Sequence, residues 1–438
     1  MEEPQKLLNK NYILLWQGQF VSKLGTALFS MATMLWIVEV IGSESVAGFL
    51  MASAGLVNML AGPFAGTYAD RHSRKRIILI TDIINGIAVV AFAIATLTMP
   101  DRISFLVILL FFVTISNALL ISYFIPAISA AIPDIVPKNK LAQANSMGQF
   151  STRISSLLGM GLGGALIGWL GAPIIFLANG ISYLFSAVSE SFIRIPQKRQ
   201  TPMSETGEIV KFKQDLIEGF QYVWRFKGLR ATVLISAGLA FFTTPIMLLM
   251  AFFVKDYLID GPNYQQWYGF IIASYSVGAL FGYFAAALIR LDKHARARVL
   301  MAIIVINSVG LGVLGVMRNE WVVLAAALVL GLMEGYVNVN ITTILQLTTP
   351  SEKRGRVFGV LGTLGGGLTP LAMALGGVSA ELLNGNYPLI YFICGGAMTM
   401  ISLAMIGVRA FREFLVYEDG KQQPLPDEVN PIVPDSLT

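Results

Sequence analysis

Long apolar stretches recur along the chain from Tyr12 to Ala410, and only short polar breaks separate them. A helix needs about 20 mainly apolar residues to cross a bilayer. The stretches lack the apolar/polar alternation of a membrane β-barrel, and backbone groups in lipid must be paired internally. The pattern therefore predicts an all-α integral membrane protein with twelve transmembrane helices. The predicted spans are 12–40, 46–69, 77–98, 103–125, 146–170, 173–194, 230–256, 266–289, 299–317, 321–346, 357–383 and 387–410.

Composition supports a membrane protein and restricts its chemistry. Of 438 residues, 55% are hydrophobic and 13% are charged, whereas soluble domains have about 25% charged residues. The one cysteine, Cys394, lies in an apolar stretch, and both histidines, His72 and His294, lie in basic polar breaks. We therefore expect no disulfide, no metal site and no cofactor. The sequence contains no Walker loop, so it predicts no ATP-driven motor. Since both histidines lie outside the spans, we do not expect an enzyme.

Lysine and arginine are distributed very unevenly among the polar breaks. An even number of spans places both termini on one side, and 26 of the 31 basic residues fall on that side, against three on the other. Such a bias marks the cytoplasmic side, so both termini are predicted to be cytoplasmic. The net charge of +5 then serves orientation and contact with membrane lipids, and it requires no nucleic-acid partner.

The longest internal polar stretch, from Arg194 to Arg230, separates six spans from six. The predicted units are an N-terminal six-helix bundle (1–194), a cytoplasmic linker with an amphipathic helix (195–229), a C-terminal six-helix bundle (230–411) and a disordered cytoplasmic tail (412–438). The breaks after spans four and ten both begin with a proline, Pro137 and Pro350, and both lead into a glycine-rich helix. This similarity indicates a parallel repeat with a substrate site near the midplane, between the halves.

The break between spans two and three carries a motif. Its residues are Gly66, Asp70, Arg71, Arg74, Lys75 and Arg76, in the spacing G-x-x-x-D-R-x-x-R-K/R-K/R. Gly66 permits close helix approach, and Asp70 can accept hydrogen bonds at the N-terminus of a neighbouring helix. The motif resembles the signature of the major facilitator superfamily at every specified position, and the resemblance implies a cytoplasmic gate against the eleventh helix. Asp134 is a candidate second partner for Arg71 or Arg74. A second interpretation gives Arg74, Lys75 and Arg76 a role in topology alone.

Three further segments resemble the branch of this superfamily that contains macrolide efflux proteins and the enterobactin exporter. They are 15–25, 132–145 and 353–359. The resemblance implies a monomer in the bacterial inner membrane that exports small drug-like or siderophore-like molecules by alternating access, in exchange for protons. Two residue patterns depart from it. Met160 stands where drug antiporters often carry proline, and span four lacks the arginine found in some proton-coupled members.

Two alternative functions remain open on the sequence alone. The first is uptake, or transport of lysophospholipids, by a protein of the same fold. The second is a membrane receptor or assembly factor that transports nothing. Measurement of solute flux separates these alternatives from export.

Ionisable residues within spans are costly and usually face the bundle interior. Glu334, near mid-depth of span ten, is therefore the first candidate for proton coupling or for the substrate path, together with Tyr336 and Asn338. In a second interpretation, neighbouring polar groups simply satisfy a buried carboxyl group. Lys23 lies too deep to reach the interface easily, so it is a path residue or the partner of a carboxylate. An inter-helix salt-bridge network is predicted for Asp82, Arg153 and Glu190.

An amphipathic cargo requires aromatic surface with a few polar groups. The candidate cavity-lining residues are Phe20, Trp36, Asn58, Tyr123, Phe241 and Tyr275. The 18 methionines fit an adaptable binding surface, although ordinary membrane packing accounts for them equally well.

Overall fold

The computed structural model describes residues 6–196, 217–261, 263–289, 291–349 and 366–416, together with Val357 and Val360. Within these residues, 11 helices are long and apolar enough to cross a membrane. The helices are α1 (Lys10–Trp36), α2 (Glu44–Arg71), α3 (Arg74–Thr98), α4 (Ile103–Ile135), α5 (Leu141–Leu170), α6 (Ala172–Ser191), α7 (Lys227–Phe253), α8 (Tyr264–Leu288), α9 (Lys293–Leu314), α10 (Glu320–Thr348), α11 (Thr369–Leu382), α12 (Tyr387–Gly407) and α13 (Arg409–Leu415). The predicted all-α fold, with twelve membrane helices in two halves, is confirmed.

The first helix of each half ends in the same way. Helix α1 continues into a π-helical turn at Ile37–Ile41, and α7 continues into one at Val254–Leu258. Short π-helical segments are rare in proteins, and those that do occur are often found at functional sites. The shared feature supports the similarity between the halves that the sequence indicates.

Two helix pairs join the halves: α2 packs against α11, and α5 packs against α8. The close approach depends on residues without side chains. Gly48 on α2 faces Gly377 on α11, and Gly164 on α5 faces Gly269 on α8. Small residues at such positions let membrane helices approach closely.

Large apolar side chains cover the outer surface of the bundle. Ile108 is 69% exposed, Phe112 64% and Phe392 68%. A surface of this kind is unfavourable in water and is the one that lipid tails solvate. It agrees with the membrane location that the apolar stretches predict.

Helix α4 is ten residues longer than predicted, because it runs to Ile135 through Pro126 and Pro133 instead of ending at 125. Membrane helices tolerate proline when neighbouring groups satisfy the freed backbone positions. As a result, Asp134 lies on the last turn of a helix and not in a loop.

The boundaries of the linker and tail also differ from prediction. Residues 217–225 are helical and α7 begins at Lys227, while the rest of the predicted amphipathic helix lies outside the described residues. Helix α13 includes 412–415, which the sequence assigns to the tail. The apolar side chains of Phe411, Phe414 and Leu415 are buried against the C-terminal half, which accounts for the additional helix.

Candidate functional site

A cavity of about 850 Å³ lies between the two halves. Helices α1, α2 and α5 of the first half contribute to its wall, and α7 to α12 of the second half supply most of it. Ligand pockets commonly have volumes of about 300–1,000 Å³. Eight lining residues are methionines: Met31, Met34, Met51, Met160, Met247, Met333, Met373 and Met398. Their flexible, polarisable side chains form a surface that can adapt to cargoes of different shape.

Glu334 on α10 is the one charged residue among the described residues that line this cavity. Its carboxylate accepts a hydrogen bond from the hydroxyl group of Tyr275 on α8. Asn338 lies one helical turn further along α10 and also lines the cavity. The cavity therefore combines a broad apolar wall with one acidic group, and Tyr275 fixes the position of that group.

Several other candidate residues lie outside the cavity lining. Tyr336 is 5% exposed and packs in the core of the C-terminal half, because two residues along a helix turn the side chain away from Glu334. Trp36 is buried edge-on against Phe92, with ring centroids 5.9 Å apart. Phe20 stacks on Trp16, and Phe241 packs against Phe242.

The remaining candidates contact other helices of the N-terminal half. The ammonium group of Lys23 donates to the hydroxyl oxygen of Thr152 on α5 at 2.9 Å, so its partner is a hydroxyl group and not a carboxylate. Asn58 accepts from Ser122 at 2.9 Å, between α2 and α4. Tyr123 lies in a second cavity, with Tyr68 and Arg76.

The predicted salt-bridge network of Arg153 with Asp82 and Glu190 is wrong. The guanidinium carbon of Arg153 lies 5.6 Å from the ring centroid of Tyr283 on α8. Asp82 on α3 and Glu190 on α6 are each 1% exposed, and they lie beside one another. Arg153 therefore contacts the other half, where α5 packs against α8.

The motif residues cluster at the end of the bundle that carries the N-terminus, here called the terminal face. Nη1 of Arg74 lies 2.5 Å from Oδ2 of Asp134 and donates to the carbonyl oxygen of Ala130 at 2.9 Å. Arg74 and Asp134 thus make the predicted contact, which ties α3 to α4. The ammonium group of Lys75 donates to the carbonyl oxygen of Ser191 at 2.6 Å. The side chains of Gly66, Asp70 and Arg71, in the last two turns of α2, lie outside the description.

Hydrogen bonds close the opposite end, the far face. Among the described residues, three side-chain hydrogen bonds join the halves, and all three lie here. Lys255 donates to the carbonyl oxygen of Val38 at 2.7 Å, and Gln265 donates to Glu39 at 2.9 Å. The hydroxyl group of Tyr387 donates to Glu44 at 2.7 Å. The two π-helical turns supply Val38, Glu39 and Lys255, so these turns form the closure.

Replacement of Lys255 by methionine is expected to open the far face. The variant loses a charge-assisted hydrogen bond between the halves, and a loss of about 1.4 kcal/mol corresponds to about tenfold more of the open form. In a Cys394→Ser background with Met51→Cys as the probe, a membrane-impermeant thiol reagent added at the far face should label the cavity about tenfold faster.

Arg318→Met is the matched control for this experiment. Arg318 is also a basic residue at the far face, but its guanidinium group donates to the carbonyl oxygen of Tyr257 in the same half. Equal labelling rates in Lys255→Met and Arg318→Met would contradict a closing role for Lys255.

Two bundles of membrane helices that enclose a cavity, with a closure at one face, define a multi-pass membrane transporter. A family model described as Major Facilitator Superfamily matches residues 15–368 and 233–428. The chain belongs to this superfamily, and the resemblance carried by the motif is confirmed.

Curated relatives cover most of the chain. Macrolide efflux protein A of Streptococcus pyogenes is 23% identical over 399 residues, which are 90% of this chain and 94% of that protein. An MFS-type transporter of Bacillus subtilis, YfiS, is 26% identical over 440 residues, or 96% and 99% of the two chains. The multidrug efflux pump Tap of Mycolicibacterium fortuitum is 24% identical, over 79% of this chain and 83% of the pump.

Solved structures show the same fold at lower sequence identity. The nucleoside transporter NupG superposes with a TM-score of 0.66 at 15% identity and covers 91% of this chain and 98% of its own. A D-xylose–proton symporter gives a TM-score of 0.65 at 15% identity, with 93% and 99% coverage. At these identities the likeness concerns the fold and leaves the cargo open.

Proposed function

We propose that this transporter exports small amphipathic molecules, of the drug-like, macrolide-like or siderophore-like kind, by alternating access and in exchange for protons. The cavity carries the proposal. A wall with eight methionines and one carboxylate, Glu334, suits apolar cargoes of variable shape that carry a polar or cationic group. The printed names of two relatives, a macrolide efflux protein and a multidrug efflux pump, favour the outward direction.

Glu334 is the proposed site of proton coupling in the cavity. A carboxylate that binds cargo when ionised releases it on protonation, so one group can alternate between cargo and proton. Tyr275 supports this role because its hydroxyl group orients the carboxylate. Asn338, on the same face of α10, offers the cargo an uncharged hydrogen-bonding group.

The terminal face is proposed to lie on the cytoplasmic side of a bacterial inner membrane, since the order of the predicted spans assigns 26 of the 31 basic residues to the side of the termini. With the far face closed, the cavity accepts cargo from that side. The pair of Arg74 and Asp134, with the motif residues Asp70 and Arg71, forms the proposed cytoplasmic gate. One chain embedded in membrane lipids is the proposed working unit, and no covalent reaction is part of the cycle.

Replacement of Asp70 by asparagine is expected to slow transport several-fold while cargo affinity stays within about threefold of the wild-type value, because the gate lies outside the cavity. Initial efflux rates and equilibrium binding on the same preparation measure the two quantities. Asp101→Asn, in the exposed turn between α3 and α4, is the matched control and should match wild type in both. Abolished binding in Asp70→Asn with an intact fold would contradict the gate.

Accumulation in whole cells tests the direction of transport. Cells that express the protein should retain less of a macrolide or lipophilic cation than cells with the empty vector. Greater retention would instead indicate uptake. An unchanged level of every solute, combined with altered lysophospholipid content, would move the assignment to lipid transport, and no change in either would favour a protein that transports nothing.

A further inference from the structure

A polar seam runs through the N-terminal half, away from the central cavity. On α6 it comprises Asn179, Ser182, Tyr183, Ser186 and Glu190, which recur at helical spacing and are all buried. It faces Gln19 on α1 and Asp82 on α3. Apart from Ser189 and Ser191, the rest of α6 is apolar. Buried polar and ionisable groups within a membrane protein are costly and commonly mark functional sites.

Asp82 and Glu190 form the charged end of the seam. Each is 1% exposed, and the two carboxyl groups interact directly. Gln19 donates to Oε1 of Glu190 at 2.8 Å. The hydroxyl group of Ser186, which is fully buried, faces both carboxyl groups. Four oxygen-bearing or amide side chains from three helices thus converge on one point.

No positive charge balances this pair within the described part of the chain. Basic side chains on the same helices have other partners: Lys23 donates to Thr152, Lys75 donates to the carbonyl oxygen of Ser191, and Arg74 pairs with Asp134. The other titratable group of the seam, Tyr183, pairs with Thr26 and Asn117. Two ionised carboxylates in contact, without a cation, repel each other strongly in an apolar interior.

Each carboxyl group of the pair has one oxygen atom without a hydrogen-bond partner in the described part of the chain. Oδ2 of Asp82, Oε2 of Glu190 and the Ser186 hydroxyl oxygen are buried and make no hydrogen bond among the described residues. A proton held between two carboxyl groups provides a donor and removes one of the two like charges. We propose that Asp82 and Glu190 share one proton and form a proton-binding site separate from the central cavity.

The seam also gives the site a connection to the cavity. Tyr183 lies about one turn from Ser186 and about two turns from Glu190 on α6, and it contacts Thr26 of α1 at 2.9 Å. The carbonyl oxygen of Thr26 accepts from Ser30, which lines the cavity. Loss of the proton would separate the carboxylates and shift α1 relative to α6. The use of this shift to drive transport rests on the proposed function, whereas proton binding does not.

Infrared spectroscopy tests proton binding directly. Purified protein in lipid nanodiscs near neutral pH is measured in the Glu334→Gln background, so that the cavity carboxyl group does not contribute. We expect a carbonyl band of a protonated carboxylic acid that shifts in heavy water and disappears when Asp82→Asn and Glu190→Gln are added. The single changes, Asp82→Asn or Glu190→Gln alone in the same background, serve if the combined variant does not fold. A parent spectrum without the band, or a band unaffected by these changes, would overturn the proposal.

Transport by Asp82→Asn tests coupling. Asparagine is uncharged and cannot release a proton, so efflux driven by a pH gradient should fall by about tenfold or more, while cargo exchange at equal pH persists. Gradient-driven efflux at the wild-type rate would overturn the coupling role. If the wild-type protein moves no cargo at all, the proposed function fails, and the infrared band still decides whether the pair binds a proton.

Discussion

Replacement of Glu334 by glutamine is expected to reduce gradient-driven efflux in proteoliposomes to the level of liposomes without protein. Glutamine keeps the shape of the side chain and an acceptor for the Tyr275 hydroxyl group, but it cannot exchange a proton. Affinity for an uncharged cargo should therefore change by less than about tenfold, since one hydrogen bond contributes about 1 kcal/mol. Cargo exchange at equal pH on both sides should continue.

Two controls make this result specific. Glu320→Gln removes a carboxylate in the first turn of the same helix, outside the cavity lining, and should leave gradient-driven efflux unchanged. Tyr275→Phe removes the group that orients Glu334 and should slow efflux without abolishing its dependence on the gradient. Efflux at the wild-type rate in Glu334→Gln would show that this carboxyl group does not couple transport to protons.

Replacement of Gly331 by alanine is expected to destabilise the C-terminal half by about 1–3 kcal/mol, the usual cost of overpacking a dense contact. Gly331 and Gly335 on α10 interlock with Gly278 and Gly282 on α8. A Cβ atom at position 331 would overlap the backbone carbonyl oxygen of Tyr275. Thermal unfolding in detergent should show a lower midpoint, and the displacement of Tyr275 should impair transport as well.

Gly396→Ala on α12 is the matched control, because a Cβ atom there meets no atom within 4 Å. Alanine should leave the unfolding midpoint unchanged or raise it slightly, because alanine favours helix more than glycine does. Equal midpoints for the two variants would contradict the dense packing of α8 against α10.

The fold was predictable because the bilayer imposes a length and an apolar character on each span. The repeat between the halves was also visible in the breaks at Pro137 and Pro350. The predicted fourth span ends at 125, directly before Pro126, whereas α4 continues to Ile135. Proline usually ends a helix in water, but membrane helices tolerate it. At α13, seven residues were too few to show an apolar period.

The site was only partly predictable. Glu334 was found because a carboxyl group within a span is costly, and Asn338 follows from it by helical spacing. Tyr336 is close to Glu334 in sequence, but two residues along a helix turn its side chain away from the cavity and into the core of the C-terminal half. Aromatic type alone did not identify lining residues, since Trp36 and Phe241 pack between helices. The polar spacing along α6 was the signal that would have separated Asp82 and Glu190 from a salt-bridge network.

The most direct test of proton-coupled export is efflux from proteoliposomes that contain the wild-type protein. They are loaded with a panel of lipophilic cations, macrolides and siderophores, with or without an imposed pH gradient, and the lumen represents the cytoplasm. Proton-coupled export predicts that at least one cargo leaves against its own gradient when the outside is acidic, and that collapse of the pH gradient stops this movement. Efflux that is indifferent to the gradient, or no flux of any cargo through folded protein, would contradict it.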